Sequence, residues 1–260
     1  MTQTTLIPTA APPDVSVVVT LAQLHIHDAH DRTRYDLDKL AGLTLQVVER
    51  NLDKWQPITA ALSQPANGKA AQYRIISGHR RWLARILAYA VLEWAKLPQH
   101  QERTEGGIDL RFVRDLLIEI VQTLTGKTQA EGMVVQTTLS AEAVHAAISQ
   151  LLQLYGENEI IIAQFTGSAK AQMLALQAAN SNREDPDPLG LARSYQAAYE
   201  AGATPAEIAR HSGVHTEYVF NHLALTQISA EIATAISDGK LHIGIARQLA
   251  RYENPLQAGL

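Results

Sequence analysis

The sequence predicts an α+β unit to about residue 180, followed by an all-α unit. Three observations carry that expectation. Short β-branched or apolar runs at Val15–Val19, Tyr73–Ile76 and Glu159–Phe165 alternate with segments of helical periodicity. Pro186 and Pro188 mark a boundary, and beyond Leu189 the chain offers helix and turn signals alone.

Taken in order, Met1–Asp14 has no basic stretch and no long apolar run, so it reads as a disordered lead-in and not as a secretory signal. VSVVV at 15–19 is a strand, and His25–Tyr35 is polar. Leu37–Asn51 places Leu40, Leu43, Val47 and Val48 at helical spacing. Trp55–Ile58 opens an extended segment, broken by turn residues Pro65, Asn67 and Gly68. Tyr73–Ile76 is a strand ending at Ser77-Gly78, and Arg80–Ala95 is a helix without internal Gly or Pro. Pro98–Gly107 reads as a loop. Leu110–Leu124 and Ala141–Tyr155 read as helices, the first apolar around much of its circumference, the second with Ser140 as N-cap. Glu159–Phe165 is a strand and Ala169–Ala179 a helix that ends at Asn180-Ser181-Asn182.

Composition sets bounds on chemistry. The 260 residues contain no cysteine, which excludes disulfides and thiolate metal sites. No apolar run approaches the roughly 20 residues that span a bilayer. The net charge is −4, with no basic footprint for nucleic acid, so a case for DNA rests on local architecture.

That architecture lies in TPAEIARHSGVHTEYVFNHLAL, residues 204–225. Thr204 is an N-cap, Pro205 takes the first helical position and Glu207 completes a capping box. Small Ala209, Gly213 and Val219 fall where two helices cross, where the turn needs a permissive backbone, and where the second helix is buried; Ile208 and Leu223 extend the apolar face. The pattern fits a helix-turn-helix, and equally any helical hairpin with a glycine turn. In the DNA-binding case the second helix, His215–Leu225, enters the major groove, with His215, Thr216, Glu217, Tyr218, Asn221 and His222 as outward candidates. From Pro186 to Leu260 five basic residues face seven acidic ones, so affinity from this unit alone is expected to be weak.

A second chemical signal is Ile75-Ile76-Ser77-Gly78-His79-Arg80-Arg81, a strand, a glycine turn and a helix start with two arginines. Outward amides, the helix dipole and forked guanidinium donors suit a phosphate; a surface pair of arginines is the plainer alternative. Asn182-Arg183-Glu184-Asp185 divides likewise between a helix end and a second wall of an anion site. His25, His27, Asp28, His30 and Asp31 form a dense set of potential metal ligands, but their H-x-H-x-x-H-D spacing departs from the metallo-hydrolase pattern, and a polar loop is the favoured reading. Trp55, Trp82 and Trp94 read as packing residues. No nucleophile elbow or Walker loop occurs.

In their joint order these segments resemble the ParB family of chromosome and plasmid partition proteins. HDAHDRTRY resembles the first nucleotide-site box, with Arg32 as its closing arginine and Tyr35 as its aromatic. WQPI is similar to the Q-P-I/L strand, and SGHRRWLARILA to the G-E-R-R-x-x-A box. AANSNREDPDPLGLARSYQ resembles the E-N-x-Q-R-E-D-L-N-P box and supplies Asn180, Arg183, Pro188, Ala192 and Tyr195. The helix-turn-helix follows at the usual distance, and DGKLHIGIARQLA resembles the next helix pair.

The resemblance implies a ParB-like α+β domain over 15–182 with a helical insertion at about 88–158, then an all-α helix-turn-helix domain over 183–260. It implies a DNA clamp that takes CTP with Mg2+ as a conformational ligand, works as a homodimer on double-stranded DNA, meets a partition ATPase, and resides in the cytoplasm on nucleoid or plasmid. The implied nucleotide-binding residues are Arg32, Gly78, His79, Arg80, Arg81, Asn180 and Arg183. His79 replaces the family's Glu, and Ala179 stands where the family has a Glu associated with hydrolysis, so CTP turnover is expected to be slow or absent. Family members usually end in a dimerisation domain, which this chain, ending at Leu260, does not reach; truncation and a short protein both account for that. Two other readings stay open: a nucleotide-independent helix-turn-helix regulator, and a nuclease or kinase on the ParB fold.

Overall fold

The computed structural model describes residues 15–27, 34–50, 57–63, 71–127, 133–135, 137–180, 188–237 and 240–250. Contacts divide them into two compact units, the first holding the described residues 15–26 and 34–166, the second His27 and those from Gly167 on.

The first unit is built on a mixed five-stranded sheet. Its strands are β1 (Val15–Thr20), β2 (Leu24–Ile26), β4 (Ile58–Ser63), β5 (Gln72–Ser77) and β8 (Glu159–Phe165), in the order β1-β8-β4-β5-β2. β1/β8 and β4/β5 are antiparallel, while β4/β8 and β2/β5 are parallel. Alternation along β8 shows why this sequence is a strand: Ile160 and Ile162 are buried while Ile161 between them is exposed. A second sheet joins β3 (Arg34–Asp36), β6 (Val134–Val135) and β7 (Thr138–Ser140) in the order β3-β7-β6.

Helices α1 (Leu37–Val48), α2 (His79–Trp94), α4 (Leu110–Thr125) and α5 (Ala141–Tyr155) share one core with the sheet. Phe112, Val113, Leu116, Leu117, Ile120 and Val121 of α4 are buried in it, as are Val144, Ala147, Ile148 and Leu151 of α5. The stretch 88–158 is therefore part of the core of the first unit. Trp82 is buried, its Nε1–H donating to the Leu21 carbonyl at 3.2 Å, and Trp94 packs half-buried at the edge. Trp55 lies outside the described residues.

Several local expectations are corrected. The polar stretch 25–35 carries strand at both ends, in β2 and β3. The loop expected at 98–107 contains a 3-10 turn, Pro98–His100, and a short helix, α3 (Gln101–Thr104). Tertiary contacts override composition there: buried His100 lies edge-on to Phe112, and Arg103 pairs with Asp115 at 2.8 Å.

The second unit is helical: α6 (Ala169–Asn180), α7 (Pro188–Glu200), α8 (Pro205–Ser212), α9 (Thr216–Leu223), α10 (Ala230–Ser237) and α11 (Ile243–Leu249). Its core includes Leu189, Ala192, Leu225, Ile232 and Ala246. The division by contacts precedes α6, whereas the boundary drawn from sequence follows it. Among the described residues no helix is long and apolar enough to cross a membrane.

Candidate nucleic-acid interface and anion-binding turn

The α8–α9 hairpin is fixed from its first residue. Thr204 Oγ1 accepts from the Glu207 amide, Glu207 Oε2 accepts from the Thr204 amide at 2.8 Å, and Lys170 Nζ lies 2.7 Å from Glu207 Oε1. The Lys170 bond, then those of Thr204, hold the Glu207 carboxyl at about 2. Gly213 closes α8 at φ 67°, a left-handed conformation that glycine adopts without strain, and the Val214 amide returns to the Ala209 carbonyl. Ile208, Ala209 and Val219 are buried, as the spacing requires, while Leu223 is half-buried.

On α9 the structure sorts the candidate side chains. His215, Glu217 and Tyr218 are exposed, and Thr216 and Asn221 are half-buried. His222 is a correction: it is 2% exposed. One turn beyond Val219, it shares the inward face, with its ring against Tyr195 and Tyr218 and its Nδ1 2.8 Å from the Tyr218 carbonyl. Burial pushes its pKa down. The helix expected to Leu225 gives way to a 3-10 turn at Ala224–Gln227. Sequence reasoning missed Phe220, which is 57% exposed; Phe reads as a core residue by type, and helical phase relative to Val219 was the signal that placed it outside. Ala192 and Tyr195 of α7 are buried and serve packing.

In the first unit, β5 runs into α2 through Gly78, whose φ of 90° and ψ of 17° place it in the left-handed region. As N-cap it has no side chain to satisfy the first amides of α2, and the first turn holds no acidic residue. It holds Arg80 and Arg81 instead, at the helix end where the dipole disfavours cations. Desolvation first, then Arg80 and Arg85, push the Arg81 guanidinium below its ordinary pKa. Arg81 Nη1 donates to the Pro57 carbonyl at 3.2 Å. A Cβ on Gly78 would come within 2.9 Å of Arg81 Nη2, so the guanidinium lies against the bare glycine. Among the described residues no carboxylate pairs with Arg80 or Arg81. Outward amides and under-neutralised guanidinium groups fit an anion such as phosphate.

His79, between Gly78 and Arg80, turns the other way. Its side chain is buried, with Nε2 2.8 Å from the Tyr35 hydroxyl; on the other side that hydroxyl lies 2.7 Å from His145 Nε2. Tyr35 is buried as well, and desolvation pushes His145 down. The ring therefore anchors the start of α2 from inside. Asn180 ends α6 in the second unit; it is 8% exposed, and its Nδ2 finds no partner among the described residues. Arg32 and Arg183 lie outside the described residues, as do Asp28, His30 and Asp31 of the histidine-rich stretch. His25 Nε2 lies 3.3 Å from Ser63 Oγ, and among the described residues no three His, Cys, Asp or Glu side chains group as metal ligands.

Residues 184–259 match the ParB HTH domain family. The match covers the helical stretch that contains α8 and α9 and leaves the first unit outside it. A curated relative, the chromosome-partitioning protein Spo0J of Thermus thermophilus, is 40% identical over 74 residues, a stretch that spans 28% of each protein. Two solved structures of the C-terminally truncated chromosome-partitioning protein ParB from Caulobacter crescentus are similar at lower identity. The one complexed to the centromeric parS site is 18% identical with a TM-score of 0.43, covering 94% of this chain and 93% of the other. The one complexed with CTP-gamma-S is 19% identical with a TM-score of 0.30, covering 94% and 98%.

Proposed function

We propose that this chain is a ParB-type partition protein that binds duplex DNA through α9 and takes CTP at the Gly78 turn as a conformational ligand. The observation that carries the DNA reading is the exposed set His215, Glu217, Tyr218 and Phe220 at the start of α9, held on a buried Ile208–Ala209–Val219 scaffold within the ParB HTH domain. Side chains at the start of a second helix reach base edges in this geometry. With five basic residues against seven acidic ones over 186–260, few counterions are released, and the affinity should fall only shallowly with salt.

The CTP reading rests on the family resemblance of the SGHRR segment and on the fit of its turn. Gly78, Arg80 and Arg81 would hold the triphosphate, and Mg2+ would come with it. When bound, the nucleotide supplies the negative charge that this helix end lacks. Dimerisation, a partition ATPase partner and a nucleoid or plasmid location belong to the same proposal.

The test is a titration of the purified chain with CTP, ATP and no nucleotide, with and without duplex DNA. CTP-selective binding that alters DNA retention supports the whole reading. DNA binding indifferent to CTP leaves a nucleotide-independent regulator. Cleavage of the DNA or transfer of phosphate points to an enzyme on the same fold.

A further inference from the structure

Phe220 is anomalous on α9. It is 57% exposed, more than any other apolar side chain of α9: Tyr218 is 37% exposed, Leu223 is half-buried and Val219 is buried. It lies one turn after Thr216 and Glu217, on the outward side. A phenyl ring that is mostly exposed contributes little to packing, and it makes no conventional hydrogen bond. If α9 lies in the major groove, the ring has one natural partner among the base edges there: the C5 methyl of thymine, the one apolar group that the four standard bases present.

We infer that Phe220 is a specificity-determining residue that reads a thymine methyl in the DNA site. The inference rests on the DNA-binding role proposed for α9. Charge favours it: acidic residues outnumber basic ones over 186–260, so phosphate attraction is weak and base contacts carry a larger share of the binding. Glu217, three residues earlier, adds a carboxylate on the same side, which repels phosphate and leaves the centre of this face without a cation.

The test starts from a random-sequence duplex library selected with the full chain. In the enriched duplex each thymine is replaced singly by deoxyuridine, which removes the methyl and keeps every hydrogen-bonding group. At one thymine position the wild type should lose about three- to tenfold in affinity, the worth of one buried methyl. Phe220→Ala should bind the thymine and deoxyuridine duplexes alike, and Phe220→Leu should keep part of the preference. Because the side chain is exposed, both variants are expected to fold, which circular dichroism verifies. An enriched duplex with no deoxyuridine effect anywhere overturns this inference and leaves DNA binding intact. So does a Phe220→Ala protein that keeps the preference, or one that changes only its sedimentation state, which assigns the ring to a contact between copies. No enrichment from the library overturns the DNA-binding reading itself, and this inference with it.

Discussion

Two helices of this molecule begin in opposite ways. α8 closes its N-terminus with its own neighbours: Thr204 and Glu207 satisfy each other's amides, and Lys170 neutralises the carboxylate. α2 has a glycine where a cap would be, no acid in its first turn, and two arginines at its positive end. Its anchorage comes from the far side, where the His79 ring meets Tyr35 in the core. The contrast separates an end built for stability from an end left open at some cost. Under the proposed function, a bound nucleotide completes these donors and cations.

Breaking the inner anchor should have the largest effect. Tyr35→Phe removes the hydroxyl shared by buried His79 and half-buried His145, a loss of about 1–3 kcal/mol in stability. Urea unfolding followed by circular dichroism measures it; an unchanged midpoint would mean that α2 is held by its apolar face alone.

Arg80→Ala sharpens the comparison, because it should weaken function without weakening the fold. CTP affinity is expected to drop roughly ten- to a hundredfold, the worth of a charge-assisted contact. The ligand-free protein should be no less stable, since a cation leaves the unfavourable end of a helix. Calorimetry with CTP and a thermal melt read the two effects; unchanged CTP affinity in a folded variant would remove Arg80 from the site.

The closed end of α8 gives the smallest effect. Thr204→Ala should cost about 1 kcal/mol through the lost cap. Glu207 has its pKa depressed from 4.5 to about 2 in the fold, so its contribution is present above pH 4.5 and disappears as pH falls toward 2. The stability difference between wild type and Glu207→Gln, followed from pH 6 to pH 2, should therefore shrink over that window. A constant difference would show that the carboxylate charge has no part in the cap.

Local rules made α8 legible from sequence. Thr204, Pro205 and Glu207 act within three residues of one another and Gly213 within four of Ala209, so the spacing alone carried the hairpin, and Ser140 announced α5 in the same way. What escaped depended on distant partners. The segment 98–104 is polar by composition, yet it folds because His100 and Arg103 find Phe112 and Asp115 on α4. The three-residue strands β3 and β7 are too short for an alternating pattern and exist because they pair with each other. On α9, reading by residue type placed the histidine outside and left the phenylalanine out of account, whereas helical phase puts His222 inside and Phe220 outside. His79 was judged by the company of Gly78 and Arg80 in the chain, while its partner Tyr35 lies 44 positions away and the other partner of Tyr35, His145, lies 110 positions from the tyrosine, at separations no motif spans.

The Tyr35 hydroxyl has one hydrogen and two imidazole nitrogens to face, so at least one ring must bring a hydrogen of its own. With the tyrosine's hydrogen given to one ring, the two histidines face it differently: one offers Nε2 bare, and the other carries a hydrogen there. Neither ring can then exchange its role alone; the three groups change hands together, as a single bit stored in proton positions. Because His79 opens α2, that bit is written one residue from the glycine turn, and α5 holds its other half.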